Sequence, residues 1–341
     1  MAVDATILIA TFNRAELLDE TLDSIRRLRV SSGRTWETIV VDNNSTDRTK
    51  AVVELQAHDF PVPLHYVLET RQGRSSALNT GIARAAGAVI AMTDDDVQVD
   101  RGWLDAACDA LCGADKTIAY AGGPVWPLWE MSPPSWLDLT RGDLWGTIAI
   151  QDHGDQRFVY EEARKVPLGA NMAARRTLFD TIGGFKPGLG RSRGRLVLGQ
   201  EVPELLVRTR AAGYRGLYLP AMQVQHHIPA SRLTPGYFKR WWFGKGVSRS
   251  MMERIQPVTD RGIDLRRTPH LLRVPRYMYG SALRDLAGWI REGVRRRPTE
   301  AFRRRMMLAY FAGYFWARQR ERREAAPAAS HLIEKTVSTG R

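Results

Sequence analysis

Cysteine is nearly absent from this sequence, since Cys108 and Cys112 are the only two among 341 residues. This scarcity excludes a disulfide scaffold and predicts a reducing, cytoplasmic location. Long apolar runs are also missing: the longest stretches without Asp, Glu, Lys, Arg or His are residues 117–129, interrupted by two prolines, and residues 306–317. A membrane-spanning helix needs about 20 apolar residues, so none is expected. The first residues lack a basic start and an apolar run, and do not predict a signal peptide.

Two common nucleotide-binding signatures are missing as well. No Gly-x-Gly-x-x-Gly follows the first predicted strand and no Walker loop occurs, which argues against a nicotinamide dehydrogenase and against a P-loop enzyme. The composition, 44% hydrophobic and 26% charged, is that of a globular protein and excludes a largely disordered chain. The length predicts one large domain with an appendage.

Acidic residues are scarce in the last third of the chain. Residues 1–227 hold 25 Lys and Arg against 28 Asp and Glu, whereas residues 228–341 hold 25 against 9, a balance of +16. This asymmetry predicts a basic surface for a negatively charged partner, either membrane headgroups or nucleic acid. Residues 228–341 contain no recognisable nucleic-acid reading module, which argues against nucleic acid.

The first half alternates strand-like and helical patterns, which predicts βαβ units and an α/β fold whose mostly parallel sheet is flanked by helices. The predicted strands are residues 6–10, 37–41, 64–68 and 88–93, and the predicted helices are residues 15–29, 48–57 and 75–86. Further along, the patterns predict an irregular lid or acceptor-side wall at 122–160, a helix at 201–212, a strand at 216–220 and Arg-rich helices from about 233.

Polar clusters stand where three of these strands end, and ligands bind at that edge of a parallel sheet. Asp94, Asp95 and Asp96 repel one another unless a cation neutralises them, and hard oxygen ligands suit Mg²⁺ or Mn²⁺ completed by a diphosphate. A solvated acidic turn is the alternative. Asp42 can accept the imide N–H of a pyrimidine base, whereas the polar residues that follow it, through Asp47, can cap the next helix.

Five segments, in this order, resemble the family 2 glycosyltransferases with the GT-A fold, and the match runs from Thr6 to about Trp242. They are TILIATFNR, IVVDNNSTD, GRSSALNTGIARAAGAVIAMTDDDV, GGF and QEVPELLVRTRAAGYRGLYLPAMQVQHH. The resemblance implies metal-dependent, inverting transfer of a hexose-type sugar from a nucleotide-diphospho-sugar, with a uridine nucleotide as the family default, to a hydroxyl acceptor. A lipid-linked or polysaccharide glycan is the expected acceptor.

The resemblance also implies roles for individual residues. Asp42 would hold the uracil with Thr11 beside it, Asp94 would contact the ribose or donor sugar, and Asp96 would bind Mn²⁺ or Mg²⁺. His226 or His227 would complete the metal shell or touch the diphosphate. The full set expected to bind nucleotide is Thr11, Asn13, Arg14, Asp42, Asn44, Arg74, Asp94 and Asp95.

One position departs from the family pattern. The family's usual Glu-Asp pair aligns with Glu201 and Val202, so the position of the usual base is apolar. Four alternatives follow: Glu201 is the base, the alignment slips by one residue at Pro203, Glu204 is the base, or the base is lost. In the last case the chain is a catalytically degenerate nucleotide-sugar-binding protein.

The basic third contains a second open question. Residues 306–317 are apolar and aromatic and lie between arginine clusters. They predict either a helix packed in the protein or a helix lying on an anionic membrane surface, which would place a cytoplasmic enzyme peripherally on the inner face of the membrane. The expected domains are a GT-A domain at 1–230, a basic helical extension at 231–325 and a disordered tail at 326–341.

Overall fold

A computed structural model describes residues 3–161, 165–189, 199–257 and 264–337, with side chains described as far as residue 320. The strands, in chain order, are β1 (Val3–Thr11), β2 (Trp36–Asp42), β3 (Leu64–Leu68), β4 (Gly87–Asp94), β5 (Val97–Val99), β6 (Ile118–Gly122), β7 (Val125–Trp129), β8 (Phe158–Val159), β9 (Asn171–Arg175), β10 (Arg215–Tyr218), β11 (Val224–Ile228), β12 (His270–Leu271) and β13 (Val274–Pro275). The helices are α1 (Ala15–Arg26), α2 (Thr49–Ala57), α3 (Arg74–Arg84), α4 (Trp103–Leu111), α5 (Arg176–Ile182), α6 (Glu201–Ala211), α7 (Pro235–Met252), α8 (Arg276–Val294) and α9 (Pro298–Val337).

These elements form two compact units. The first comprises the described residues up to Arg232 except for 134–138, and the second comprises 134–138 and the described residues from Leu233 onward.

The described residues of the first unit form an eight-stranded sheet in the order β3-β2-β1-β4-β9-β6-β10-β8. Parallel pairing joins β1 to β2 and β4, and β2 to β3, so the four strands predicted in the first half are present and adjacent. Beyond β4 the sheet is mixed, because β9 runs antiparallel to both of its neighbours. A second sheet has the order β5-β11-β7. The predicted α/β class is therefore confirmed.

Both faces of the large sheet are buried, which explains the nearly continuous apolar sequence of its central strand. Successive residues of a strand point to opposite faces. Ile7 accordingly packs in the same cluster as Leu18 of α1, whereas Leu8 packs on the other side in the same cluster as Leu78 of α3. Parallel strands covered on both faces lose the polar alternation of a half-exposed sheet.

The segment 122–160 is more regular than its composition predicts. It contains β7, which pairs in parallel with β11, a 3₁₀ turn at Trp145–Ile148, and β8, which pairs with β10. Pro127 lies within β7, where a proline usually argues against a strand. It is tolerated because β7 is at the edge of its three-stranded sheet, and an edge strand can lack a donor on its outer side.

The second unit is built around the contact between α7 and α9. Helix α7 begins with Pro235 at its first position, preceded by Thr234, whose hydroxyl accepts a hydrogen bond from the Tyr237 N–H at 3.2 Å. The backbones approach closely because Gly246 and Gly313 face the partner helix. A Cβ atom at either position would lie 2.0 Å from a carbonyl oxygen of the other helix.

Residues 306–317 lie in helix α9. Met306, Phe311 and Tyr314 are buried, so one face of this stretch packs in the protein, whereas Trp316 is exposed. The helix is described as far as Val337, and the disordered tail expected at 326–341 stays a prediction. Residues 338–341 lie outside the described part. No described helix is both long enough and apolar enough to cross a membrane.

Candidate active site

The carboxyl ends of β1, β2 and β4 meet at one edge of the large sheet. Thr11 pairs with Asp42 across β1 and β2, and Ala10 pairs with Asp94 across β1 and β4. Because these strands are adjacent and parallel, the polar clusters that follow them are brought together, as the sequence predicts.

Asp95, the middle carboxylate, points into the protein. It is buried, and its oxygens accept hydrogen bonds from Thr11 Oγ1 at 2.8 Å and from Arg14 Nη1 at 2.9 Å. Burial raises the pKa of Asp95 to about 6, against the opposing effect of Arg14. Thr11 and Asp95 hold this turn through these hydrogen bonds, and their expected contact with the nucleotide stays a prediction.

Asp96 is buried beside several cationic or ionisable groups. Its Oδ2 lies 2.9 Å from Arg14 Nη1 and 3.6 Å from Arg232 Nη2, and its Oδ1 lies 3.4 Å from His226 Nε2. No hydrogen bond to Oδ1 is formed among the described residues. A buried carboxylate oxygen without a hydrogen bond is costly, and a metal ion satisfies it.

The short strand β5, directly after the three aspartates, explains how a distant histidine reaches them. β11 pairs with β5, which places His226 opposite Val97, and the His227 N–H donates to the Asp96 carbonyl at 2.8 Å. Asp94, Asp96 and His226 then have one ligand atom each within 4.8 Å of one another. His227 is outside this cluster because neighbouring residues of a strand point to opposite faces.

Guanidinium groups supply part of the neutralisation that the sequence argument assigns to a metal. Arg14 and Arg232 lie against Asp96, and Arg74 lies against Asp94. Charge repulsion alone therefore does not demand an ion here. What fits a divalent ion is the donor set, two carboxylates and an imidazole, together with the buried Asp96 oxygen. Nothing in the sequence around Arg232 indicates its part in the site.

Arg74 connects the aspartates to the start of α6. It donates from Nη2 to Asp94 Oδ1 at 2.6 Å and from Nη1 to Glu201 Oε1 at 3.0 Å. The other Glu201 oxygen, Oε2, is buried and makes no hydrogen bond within the described part of the chain. In the structure Arg74 joins the first aspartate to the candidate base, and its expected contact with the phosphate or ribose of the donor stays a prediction.

Glu204, the second candidate base, is engaged elsewhere. Its buried carboxylate pairs with Lys186 at 2.7 Å and with Arg208 at 2.8 Å, and Arg208 also donates to the Gly184 carbonyl. Burial opposes ionisation of Glu204, but the hydrogen bonds from Arg208 and Lys186 prevail and lower its pKa. Glu204 therefore has a structural role, and Val202 is buried in a core cluster.

Asp42 is held at the end of β2 by two hydrogen bonds. Its Oδ1 accepts from the Ser45 N–H and its Oδ2 from the Tyr66 hydroxyl, both at 2.8 Å. Because a carboxylate offers about four acceptor positions, further hydrogen bonds can still be accepted.

Asn13 and Asn44 shape the two loops beside Asp42. Both have left-handed backbones, with φ of 52° and 68°, a conformation that asparagine tolerates better than most residues. Asn13 ties the loops together, because its N–H donates to Ser45 Oγ at 2.9 Å and its Oδ1 accepts from the Thr46 N–H at 2.7 Å. Asn44 is exposed beside them.

Asn43, which sequence reasoning missed, organises the loop that leads to α3. Its Nδ2 donates to the carbonyls of Glu69 and Arg71 at 3.0 and 2.9 Å, and its Oδ1 accepts from the Gly73 N–H at 2.7 Å. This loop delivers Arg74, the first residue of α3. The signal that could have found Asn43 is its place as the first of two amides directly after a buried strand.

Glu69 in the same loop makes a pH-dependent contribution to stability. Hydrogen bonds from the Arg71 side chain and from Thr80 lower its pKa from 4.5 to about 2. Its stabilisation is therefore complete above pH 4.5 and is lost as the pH falls towards 2. The free energy of unfolding falls between pH 7 and pH 3, and we expect this fall to be about 1 to 2 kcal/mol smaller in Glu69→Gln than in wild type. The amount is modest because the Arg71 side chain is exposed. Urea unfolding at pH 7 and pH 3 measures it, with Glu54→Gln as control, and an unchanged acid dependence in Glu69→Gln contradicts it.

Comparison with known proteins gives the same assignment as the strand-end motifs. The model of glycosyl transferase family 2 matches residues 6–183. A glucosyl-dolichyl phosphate glucuronosyltransferase of Haloferax volcanii is 25% identical over 263 residues, covering 75% of this chain and 79% of that protein. The succinoglycan biosynthesis protein ExoM of Rhizobium meliloti is 26% identical over 247 residues, covering 72% and 73%.

A solved structure shows the same fold. The mannosyltransferase PcManGT from Pyrobaculum calidifontis, in complex with GDP-Man and Mn²⁺, aligns over 98% of this chain and 79% of its own with a TM-score of 0.53 and 21% identity. The chain therefore belongs to glycosyl transferase family 2, and it has the GT-A fold.

Proposed function

We propose that this protein is an inverting glycosyltransferase that uses a divalent metal ion and a uridine-diphospho-sugar donor. The observation that carries the proposal is the convergence of Asp94, Asp96 and His226 within 4.8 Å, beside the ends of β1 and β2. Mn²⁺ or Mg²⁺ fits this donor set, and the imidazole favours Mn²⁺ because Mg²⁺ prefers oxygen ligands. The acceptor is a hydroxyl of a lipid-linked or polysaccharide glycan, in line with the glucosyl-dolichyl phosphate and succinoglycan named for the two relatives.

The nucleotide-sugar is assigned to the carboxyl edge of the sheet because side chains that can hydrogen-bond to it lie there. Asp42 accepts the imide N–H of the uracil, and the exposed Asn44 and the partly exposed Arg14 lie in the loops beside it. Thr11 and Asn13 act indirectly, since one holds Asp95 and the other joins the two loops. Asp94 contacts the ribose or the donor sugar. Asp96 and His226 hold the ion, which when bound neutralises charge on the leaving diphosphate.

Glu201 is proposed as the general base. Arg74 holds Oε1 in place, and Oε2 has no hydrogen bond among the described residues and accepts the proton of the acceptor hydroxyl. The acceptor oxygen then forms the new bond to the anomeric carbon from the face opposite the diphosphate. The bond from that carbon to the diphosphate breaks, the diphosphate leaves with the electron pair, and the configuration inverts.

The alternative is a degenerate protein that binds nucleotide-sugar without turnover, suggested by Val202 at the usual base position. The Arg74 guanidinium supports an enzyme, because it pairs with both Asp94 and Glu201 and so holds a candidate base near the aspartates. Release of UDP in the presence of acceptor separates the two functions, since a binding protein releases none.

A thermal-shift screen of UDP-, GDP- and dTDP-sugars, each with and without Mn²⁺, tests the donor. UDP-sugars with Mn²⁺ are expected to raise the melting temperature most, because a ligand at 100 times its Kd stabilises by about 2.7 kcal/mol. Asp42→Asn is expected to weaken UDP binding by about 10-fold or more while leaving pyrophosphate binding unchanged, as for loss of one hydrogen bond to a charged group. A larger response to GDP-sugars, or one independent of Mn²⁺, contradicts the assignment.

A further inference from the structure

Helix α8 exposes its apolar stripe to solvent. Leu283, Leu286, Ile290 and Val294 follow one another at spacings of three and four residues, so they share one face of the helix. Their exposed fractions are 65, 39, 56 and 80%. Trp289 borders the stripe and is also exposed. A helix on the surface of a protein normally turns such a stripe inward.

The face that α8 buries begins with Met278, which packs in an apolar cluster with Phe311 and Tyr314 of α9, and is polar further along the helix. Asp285 pairs with Arg304 of α9, Gly288 packs against the same arginine side chain, and Glu292 pairs with Arg291 at 3.0 Å. Asp285 and Glu292 are the only acidic residues of α8 and both are buried. The packing of Met278 and the ion pair of Asp285 therefore turn this face towards α9, and both acids of α8 lie off the apolar stripe.

A hairpin at the start of α8 adds to this surface. Strands β12 and β13 are joined by a tight turn in which Leu272 and Arg273 both have positive φ. The carbonyl of Leu271 accepts a hydrogen bond from the Tyr279 hydroxyl of α8 at 3.0 Å, which fastens the turn to the helix. The side chains of Leu271 and Leu272 remain about half exposed.

The charges around this surface are positive. Arg273, Arg276, Arg284 and Arg295 are exposed on the turn and along α8, within a segment whose formal balance is +16. Apolar side chains bordered by arginines match the boundary between acyl chains and anionic headgroups. A second copy of the same face would set arginines against arginines, which disfavours a self-associated pair.

We propose that α8 and the 270–275 hairpin form a docking surface for a membrane that carries anionic lipids. The helix lies parallel to the membrane, its leucine and isoleucine side chains enter the headgroup boundary, and the arginines contact lipid phosphates. This surface is on a different helix from the stretch 306–317, in which Met306, Phe311 and Tyr314 are buried. The proposal does not depend on the identity of donor or acceptor.

Sedimentation of the full chain with vesicles tests this docking surface. Neither donor nor acceptor is present, so the result does not depend on the proposed function. At low ionic strength the protein is expected to bind vesicles of 30% phosphatidylglycerol in phosphatidylcholine. It is not expected to bind vesicles of pure phosphatidylcholine. Raising the salt weakens it, since exposed charges are screened within a Debye length of about 10 Å at 0.1 M.

Two sets of substitutions locate the surface. Leu283→Ser with Ile290→Ser is expected to lower the partition coefficient by about 10- to 30-fold, because two exposed apolar side chains no longer enter the membrane. The matched control, Leu55→Ser with Met131→Ser, replaces two equally exposed apolar residues elsewhere and leaves binding unchanged. Arg273→Gln with Arg276→Gln and Arg284→Gln is expected to lower binding by about 100-fold at low salt and to flatten its salt dependence. Far-ultraviolet circular dichroism confirms that each variant is folded.

Three results overturn the proposal. The first is wild-type protein that stays in the supernatant with phosphatidylglycerol vesicles at low salt. The second is vesicle binding that is equal in wild type, the Leu283 and Ile290 variant and the control. The third is a wild-type protein that does not bind vesicles and sediments as a dimer, which the Leu283 and Ile290 substitutions dissociate. That result would make this face an interface between two copies of the chain.

Discussion

Asp96→Asn is expected to remove Mn²⁺ binding and to lower turnover by about 10²- to 10³-fold. The substitution keeps the shape of the side chain but removes the negative charge beside His226 and leaves an amide where the buried Oδ1 stands. Loss of a bound divalent ion costs several kcal/mol of charge stabilisation on the leaving diphosphate. Isothermal titration with Mn²⁺ measures the first effect, and UDP release in the presence of acceptor measures the second.

A matched variant makes the Asp96 result specific. Asp59→Asn makes the same chemical change at an exposed aspartate that pairs with Arg26 outside the cluster, and both measurements should stay at the wild-type level. Retention of Mn²⁺ affinity and turnover in Asp96→Asn would show that the metal site lies elsewhere. Loss of turnover with intact Mn²⁺ affinity would separate Asp96 from the ion but keep it in the reaction.

Glu201→Gln is expected to reduce turnover by about 10²- to 10⁴-fold with little change in donor affinity. Glutamine can still accept the hydrogen bond from Arg74, so the start of α6 keeps its position. It cannot accept a proton from the acceptor hydroxyl, however. Pre-steady-state turnover and donor binding by titration, measured on the same preparation, distinguish a lost base from a lost binding contact.

Glu204→Gln is the control for Glu201→Gln in the same helix turn. It should lower the free energy of unfolding by about 1 to 3 kcal/mol, because it weakens the pairing of a buried carboxylate with Lys186 and Arg208. Turnover per folded molecule should be unchanged. If Glu204→Gln loses turnover and Glu201→Gln does not, the base is Glu204; normal rates in both would place the base outside α6.

Much of the sheet edge that we propose to bind nucleotide could be predicted, because the patterns that indicate it are local in the sequence. The four strands β1 to β4 are apolar, a helical pattern follows each of the first three, and adjacent parallel strands bring their carboxyl ends together. Asp42 and Asp94 were therefore expected at a common edge, and the structure places them there.

The rest depended on contacts between distant parts of the chain. Strand β9, which lies between β4 and β6 in the sheet, was not predicted, because its first four residues are all buried and show no alternation of polar and apolar side chains. The lid expected at 122–160 contains β7, whose strand character follows from its pairing with β11. Arg232 reaches Asp96 only because β11 returns the chain beside β5.

By itself, the sequence determined the family, the fold class and the strand ends at which the polar residues collect, since these follow from local periodicity and motif order. Only the tertiary structure decided between His226 and His227, because strand alternation sets just one of them towards Asp96. It also assigned Arg74 to the pair Asp94 and Glu201. Periodicity shows that α8 has an apolar stripe, but burial depends on what packs against it. Met278 and Asp285 face α9, and the stripe is left exposed.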